Sequence, residues 1–232
     1  MEQWLLWRDG THDPFFNMSM DEILLDEAQN IDKVLIRIYK WDRPALSIGC
    51  TQKFPKQEES RYCIVRRPTG GGNVFHDTDL TYTAVIPAGH ALAQLNRMES
   101  YRVFHAAMLP MLTRFGVSAE LNPLETPQVD RSTMKCFASP SRFDIITELG
   151  GKYAGAAQRR TRKGILHQGS IQLTAAGGDW NKLALALTDA FAAFFQIEFK
   201  NGQIPSLWLD KAETLARDKY EKDLWNHEAR CQ

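Results

Sequence analysis

Three consecutive glycines, Gly70-Gly71-Gly72, stand between two segments of strand character, Tyr62-Cys63-Ile64-Val65 and Leu80 to Ile86, and no helical pattern opens behind them. Residues without a Cβ let backbone N–H groups approach a ligand and form an anion-binding concavity, and Arg66 and Arg67 put two cations at its entrance. The same placement excludes two nucleotide-binding devices, the phosphate loop ending in Gly-Lys-Ser/Thr and the Gly-x-Gly-x-x-Gly turn, because both lead into a helix. Taken by itself, a glycine run marks a turn as readily as a site.

The rest of the chain supplies the frame for that loop. Val34, Ile36 and Ile38 alternate on one face of a strand from Val34 to Tyr39, and Pro44 breaks the chain before a second strand, Ala45 to Ile48. Before them, Asn17 is placed to cap a helix through Met20, Ile23, Leu24 and Ala28. Met98 to Phe115 is helical in period, with Pro110 expected to kink or split it. Asn122 to Pro140 reads as a long loop. Phe143 to Leu149, Gly150-Gly151 and Lys152 to Ala156 read as strand, tight turn and strand, and Ile165 to Leu173 as another strand. A helix capped by Asp179 and a charged helix around Lys211 to Leu224 complete an α+β pattern with a mixed, mainly antiparallel sheet flanked by helices.

Composition narrows the function. The 232 residues suit a single domain over 1–232. Lys and Arg total 28 and Asp and Glu total 28, so there is no net attraction for polyphosphate, and nucleic acid is not the expected partner. Cys50, Cys63, Cys136 and Cys231 form no Cys-x-x-Cys pair, which argues against a zinc or disulfide framework and for a reducing, cytoplasmic setting. The N-terminus lacks the basic flank of a signal peptide, and the apolar run around Ala190 to Phe195 is too short to cross a bilayer, so no membrane association is expected.

Three side chains carry candidate chemistry. His76, four residues after the last glycine, would line a pocket and donate to a bound oxygen, with Asp77 fixing the loop or the imidazole tautomer. Cys136 is the candidate nucleophile, because it sits in a proline-flanked loop rather than in a periodic strand. A thiol attacks as its thiolate and needs a cation nearby, which Lys152 supplies if the Gly150-Gly151 turn folds it back toward the strand after Cys136. The plain alternatives are a structural histidine, an inert buried thiol and a solvated lysine.

The segment Arg66-Arg67-Pro68-Thr69-Gly70-Gly71-Gly72-Asn73-Val74-Phe75-His76-Asp77 resembles the Arg-Arg-x-Ser/Thr-Gly-Gly-x-x-Val-x-His-Asp signature of the lipoate-protein ligase and octanoyltransferase family, relatives of biotin-protein ligases. Gly151-Lys152-Tyr153-Ala154-Gly155-Ala156-Ala157-Gln158 is similar to that family's Gly-Lys-Lys-x-x-Gly-Ser-Ala-Gln signature, with Ala156 in place of serine. Asn17-x-x-x-Asp21-Glu22 resembles its first helix, and Gly164 to Ser170 the strand after the lysine motif; together the matches span roughly residues 13 to 200. The resemblance implies a biotin/lipoate-protein ligase catalytic-domain fold, a tunnel for a medium-chain acyl group, Lys152 on the acyl carbonyl, and Arg67, Gly70, Gly71, Gly72, Asn73, His76, Gly155 and Ala156 around the substrate.

Within the family, the segment from Cys136 to Asp144, Cys-Phe-Ala-Ser-Pro-Ser-Arg-Phe-Asp, resembles the Cys-Phe-x-x-Pro-Ser-x-Tyr-Glu segment of transferases that form an acyl thioester. About 35 residues follow the helix that ends near Phe195, too few for the ligases' C-terminal accessory domain. A transferase that uses Cys136 and Lys152, with no required cofactor, is therefore favoured. It would move an octanoyl or lipoyl group, with octanoyl-acyl carrier protein or lipoate or octanoate as donor, onto a lysine of a lipoyl-domain protein such as the glycine cleavage H protein or a 2-oxoacid dehydrogenase E2. The Gly-Gly-Gly-Asn run is nearer to the ligase form, so the alternative is a ligase acting with ATP and Mg through a lipoyl-adenylate; a silent acyl-binding protein is a third reading. Arg159, Arg160, Arg162 and Lys163 form a basic cluster, either a solvated hairpin tip or a docking site for an acidic carrier.

Overall fold

The computed structural model describes residues 1–124, 140–148 and 150–228. Eleven strands are described, β1 Glu2–His12, β2 Leu35–Trp41, β3 Ala45–Ile48, β4 Cys63–Arg66, β5 Val74–Phe75, β6 Asp79–Pro87, β7 Ala119–Leu121, β8 Ile145–Thr147, β9 Lys152–Arg160, β10 Gly164–Gln172 and β11 Ile197–Asn201. The helices are α1 Pro14–Asp26, α2 Ala28–Ile31, α3 Arg97–Arg114, α4 Trp180–Phe195 and α5 Ser206–Leu215.

Eight strands form one sheet in the order β11-β1-β2-β6-β10-β9-β8-β7, while β4-β3-β5 form a small second sheet. The pairs of β1 with β2 and β11, and of β3 with β4, are parallel; the other pairings are antiparallel. Period two does the sorting. Ile36 and Ile38 of β2, Ala84 and Ile86 of β6 and Ile165 of β10 face α3 and α4, joining Phe104, Met108, Leu187 and Phe191. Their neighbours Leu35, Val85 and Leu166 face the other way, onto Met20, Leu24 and Leu25 of α1 and Ala212 of α5. Every second side chain thus belongs to a different core, and the sheet is the middle of three layers.

Four features depart from the sequence expectations. Asn17 does not cap α1: Asp13 does, accepting from the N–H groups of Phe15 and Phe16 at 2.9 and 3.1 Å, with Pro14 in the first turn. Asn17 lies inside the helix and faces the core. Pro110 leaves α3 whole over Arg97–Arg114, and it stands on the exposed face. Strands β1 and β11 have no counterpart in the sequence reading. The charged C-terminal segment is not one helix: α5 ends at Leu215, and Ala216–Tyr220 and Leu224–Glu228 wind as wide turns, with the Glu221 N–H donating to the Ala216 carbonyl.

Candidate active site

The glycine loop is organised around Arg67. One terminal nitrogen of its guanidinium donates to the Ser47 carbonyl at 3.0 Å, and the other to the carbonyls of Gly70 at 2.6 Å and Gly72 at 2.7 Å. Gly71 has φ +88°, a conformation a Cβ disfavours. Its carbonyl lies so close to Gly49 that a Cβ there would sit 2.0 Å from the oxygen. Arg66 points away from the loop: Nη1 donates to the carbonyls of Gly49, Cys50 and Gln52, and Nε and Nη2 to those of Trp225 and Asn226. The picture of two cations waiting at the mouth of an anion nest is thus corrected. Both arginines are buried and serve carbonyls that tight turns would otherwise leave without donors.

A chain of buried hydrogen bonds ties the loop to α1. The Thr69 hydroxyl donates to Gln168 Oε1 at 2.6 Å, and Gln168 Nε2 donates to Asp21 Oδ2 at 2.7 Å. Tyr39 and Thr83 donate to that same oxygen, and Arg37 Nη1 donates to Oδ1 at 2.7 Å. Arg37 also reaches Asp9 and the side-chain oxygen of Asn17, and its guanidinium lies 4.1 Å over the Tyr39 ring. Burial, reinforced by the Asp21 carboxylate, holds the Tyr39 hydroxyl far above its ordinary pKa. The Asn17 and Asp21 positions noted in the sequence are therefore members of a charge network.

A cavity opens between this network and β9. Met18, Tyr39, Trp41, Val74, Ala156 and Ala157 give it apolar walls; Ser47, Arg67, Gly71, His76, Thr81, Lys152, Gly155, Gln168, Gly169 and Ser170 complete the lining. His76 donates from Nδ1 to Asp79 Oδ2 at 2.9 Å, its Nε2 lies 2.8 Å from the Ser47 hydroxyl, and its ring stacks on Trp41 at 4.0 Å. Asp79 is thus the carboxylate that orients His76. Asp77, next to it in sequence, accepts instead from the Tyr62 hydroxyl at 2.8 Å.

Lys152 enters from the start of β9. The preceding turn has Gly150 at φ +77° and the Thr147 N–H donating to the Gly151 carbonyl, which folds Lys152 back toward residues 141–144 as expected. Its Nζ lies 2.8 Å from Asp144 Oδ2, with both side chains almost fully buried. The Ser141 N–H donates to the same carboxylate oxygen at 2.6 Å. The amine lies flat over Gly155, where a Cβ would be 2.2 Å from Lys152 Cε and 2.3 Å from Nζ. Asp144 was missed as a site residue, although it fills the acidic position that closes the cysteine segment. Gly70, Gly72 and Asn73 stand beside the cavity rather than in its lining. Cys136 falls outside the described residues.

Behind β9 lies a second polar layer. Gln158 Nε2 donates to the Ser100 hydroxyl and to His167 Nδ1, so the other ring nitrogen of His167 faces Tyr82 Oη at 3.0 Å. Burial pushes His167 well below the ordinary histidine range and also lowers His105. Burial raises Tyr101 to about 12. The basic cluster disperses: Arg160 donates to the Ala93 and Leu95 carbonyls, Arg159 approaches Glu22 at 3.8 Å, and Lys163 pairs with Asp26.

Residues 13–195 match the lipoyl protein ligase A/B catalytic domain. The chain belongs to that family. The octanoyltransferase LipM of Halalkalibacterium halodurans is 32% identical over 247 residues, covering 97% of this chain and 88% of the relative. The LipM of Staphylococcus aureus is 36% identical over 184 residues, 73% of this chain and 66% of the relative. The lipoyl ligase fold itself is matched by a putative lipoate protein ligase from T. acidophilum, with TM-score 0.80 and 21% identity over 98% of this chain and 99% of that one. It is also matched by a lipoate-protein ligase A bound with ATP, with TM-score 0.78 and 20% identity over the same shares of the two chains. No helix of the described residues is long and apolar enough to cross a membrane.

Proposed function

We infer that the chain is an octanoyltransferase that moves an octanoyl group through a Cys136 thioester to a lysine of a lipoyl-domain protein. The observation that carries the reading is the buried Lys152, paired with Asp144 and lining a largely apolar cavity, in a chain whose relatives over 97% of its length are named octanoyltransferases. The Cys136 thiolate attacks the carbonyl of the octanoyl thioester; the C–S bond to the donor breaks, and the donor leaves as a thiol after taking up a proton. The acceptor lysine amine then attacks the enzyme thioester, an amide forms, the amine gives up its proton, and the Cys136 thiolate is released. Lys152 stabilises the oxyanion in both halves, with Asp144 holding the lysine amine in place. Met18, Trp41 and Val74 receive the alkyl chain.

The donor is an octanoyl thioester of acyl carrier protein, and the reading calls on no cofactor. A ligase, by contrast, would need ATP and Mg. Incubation with octanoyl carrier protein, followed by intact-mass measurement, should add one octanoyl group to the wild type and none to Cys136→Ala. Full transfer by Cys136→Ala from free lipoate with ATP would replace this reading with ligation.

A further inference from the structure

His105 is an expensive residue for its position. It lies on α3 within the core, 1% exposed, with a ring that touches Tyr101 and His167. Its Nε2 has no hydrogen-bond partner among the described residues, so the fold accepts an unsatisfied buried polar atom there. The other nitrogen explains why. Nδ1 donates at 2.6 Å to the carbonyl of Phe143.

Phe143 is one of three non-glycine residues with positive φ among those described, at +68°. A bulky side chain resists that conformation, so the surroundings must hold it. Three bonds do so. The Phe143 N–H donates to the Asn122 carbonyl at 2.9 Å, Asn122 Nδ2 donates to the Ser141 carbonyl at 3.1 Å, and His105 holds the Phe143 carbonyl. The left-handed step at Phe143 directs the next residue, Asp144, onto Lys152.

We propose that His105 is a positioning residue for Lys152: by donating to the Phe143 carbonyl it fixes the left-handed turn that sets the Asp144 carboxylate against the lysine amine. Asn122 does the same from the other side of the turn. Neither residue lines the cavity, so donor affinity is independent of them. The inference rests on the reading that Lys152 acts on the acyl carbonyl.

Steady-state transfer from octanoyl carrier protein to a lipoyl domain is measured for His105→Leu, His105→Asn, Asn122→Ala and Lys152→Ala. His105→Leu removes the donor, whereas His105→Asn restores one near the Nδ1 position. For a loosened catalytic group, kcat for His105→Leu and Asn122→Ala should fall on the order of 100-fold, with KM for the donor within about twofold. His105→Asn should recover at least about tenfold of the lost kcat. The proposal is overturned if His105→Leu keeps wild-type kcat, if KM rises in step with the fall in kcat, or if Asn rescues nothing. Should His105→Leu not fold, the pair His105→Asn and Asn122→Ala decides: near-wild-type kcat in the first and a kcat-selective loss in the second support positioning, and any other pairing refutes it. Wild-type turnover in Lys152→Ala would instead remove the underlying reading of the lysine.

Discussion

At Gly155 a single hydrogen atom separates an ordered lysine from a displaced one. The missing Cβ would overlap Lys152 Cε and Nζ and come within 2.8 Å of Asp144 Oδ1. Because the far end of a flexible side chain can yield, Gly155→Ala should fold with a nearly unchanged melting temperature yet lose about 100-fold or more in kcat, the scale of a catalytic group misplaced by an ångström. Gly49→Ala meets the Gly71 carbonyl instead, which is backbone and cannot step aside. There the cost should appear as stability, about 1–3 kcal/mol in denaturant titration. The histidines behind the site set a pH response. The folded chain holds His105 and His167 below their unfolded value of 6.5, so below that pH the unfolded chain binds protons that the folded one refuses. Their contribution is complete above about pH 6.5 and drains away on acidification, by up to about 1.4 kcal/mol per pH unit for each. Urea midpoints at pH 7.5 and 5.5 should show the fall, with a shallower slope in His105→Asn.

Among the elements, α1 bears the heaviest electrostatic duty. Asp21 takes hydrogen bonds from Arg37, Tyr39, Thr83 and Gln168 with no exposure to solvent. Asp21→Asn leaves Arg37 short of one carboxylate and should cost about 3–5 kcal/mol, read from chemical denaturation. How far this was legible in the sequence follows the range of the interactions. The glycine loop and the Gly150-Gly151 hairpin were readable because turn chemistry is local, and they placed Lys152, Gly71 and His76 on one cavity. Asn17 was misread because its residue type favours a helix cap, whereas its side-chain partners include the Lys40 carbonyl and Arg37, at least 20 positions away. Asp77 adjoins His76 in sequence, but the backbone after His76 brings the third residue on, Asp79, to the edge of the ring at Nδ1. Strand β1 was invisible because its faces alternate poorly, with Trp4 buried and the others either exposed or half-covered, and its partners lie in β2 and β11.

On the scale of the whole molecule, the glycine loop depends on the far end of the chain. Asn226 Oδ1 accepts from the Arg66 N–H at 2.8 Å, and Trp225 Nε1 donates to the Arg66 carbonyl at 2.8 Å. Two side chains thus do for the edge of β4 what a neighbouring strand would do. Asn226→Ala should cost about 1–3 kcal/mol, the penalty of leaving a buried N–H unserved, and thermal melting checks it. A contact that joins residues 66 and 226 is also a statement about time. During synthesis at about 5–20 residues per second, the loop that shapes the cavity is made early, yet it waits roughly ten to thirty seconds for Trp225 and Asn226 to emerge. Until then the edge of β4 is bare, and a nascent chain carries the glycine loop without its full support. The loop gains its full set of supports only when residues 225 and 226 have left the ribosome, so a chain cut before them should lack an ordered pocket.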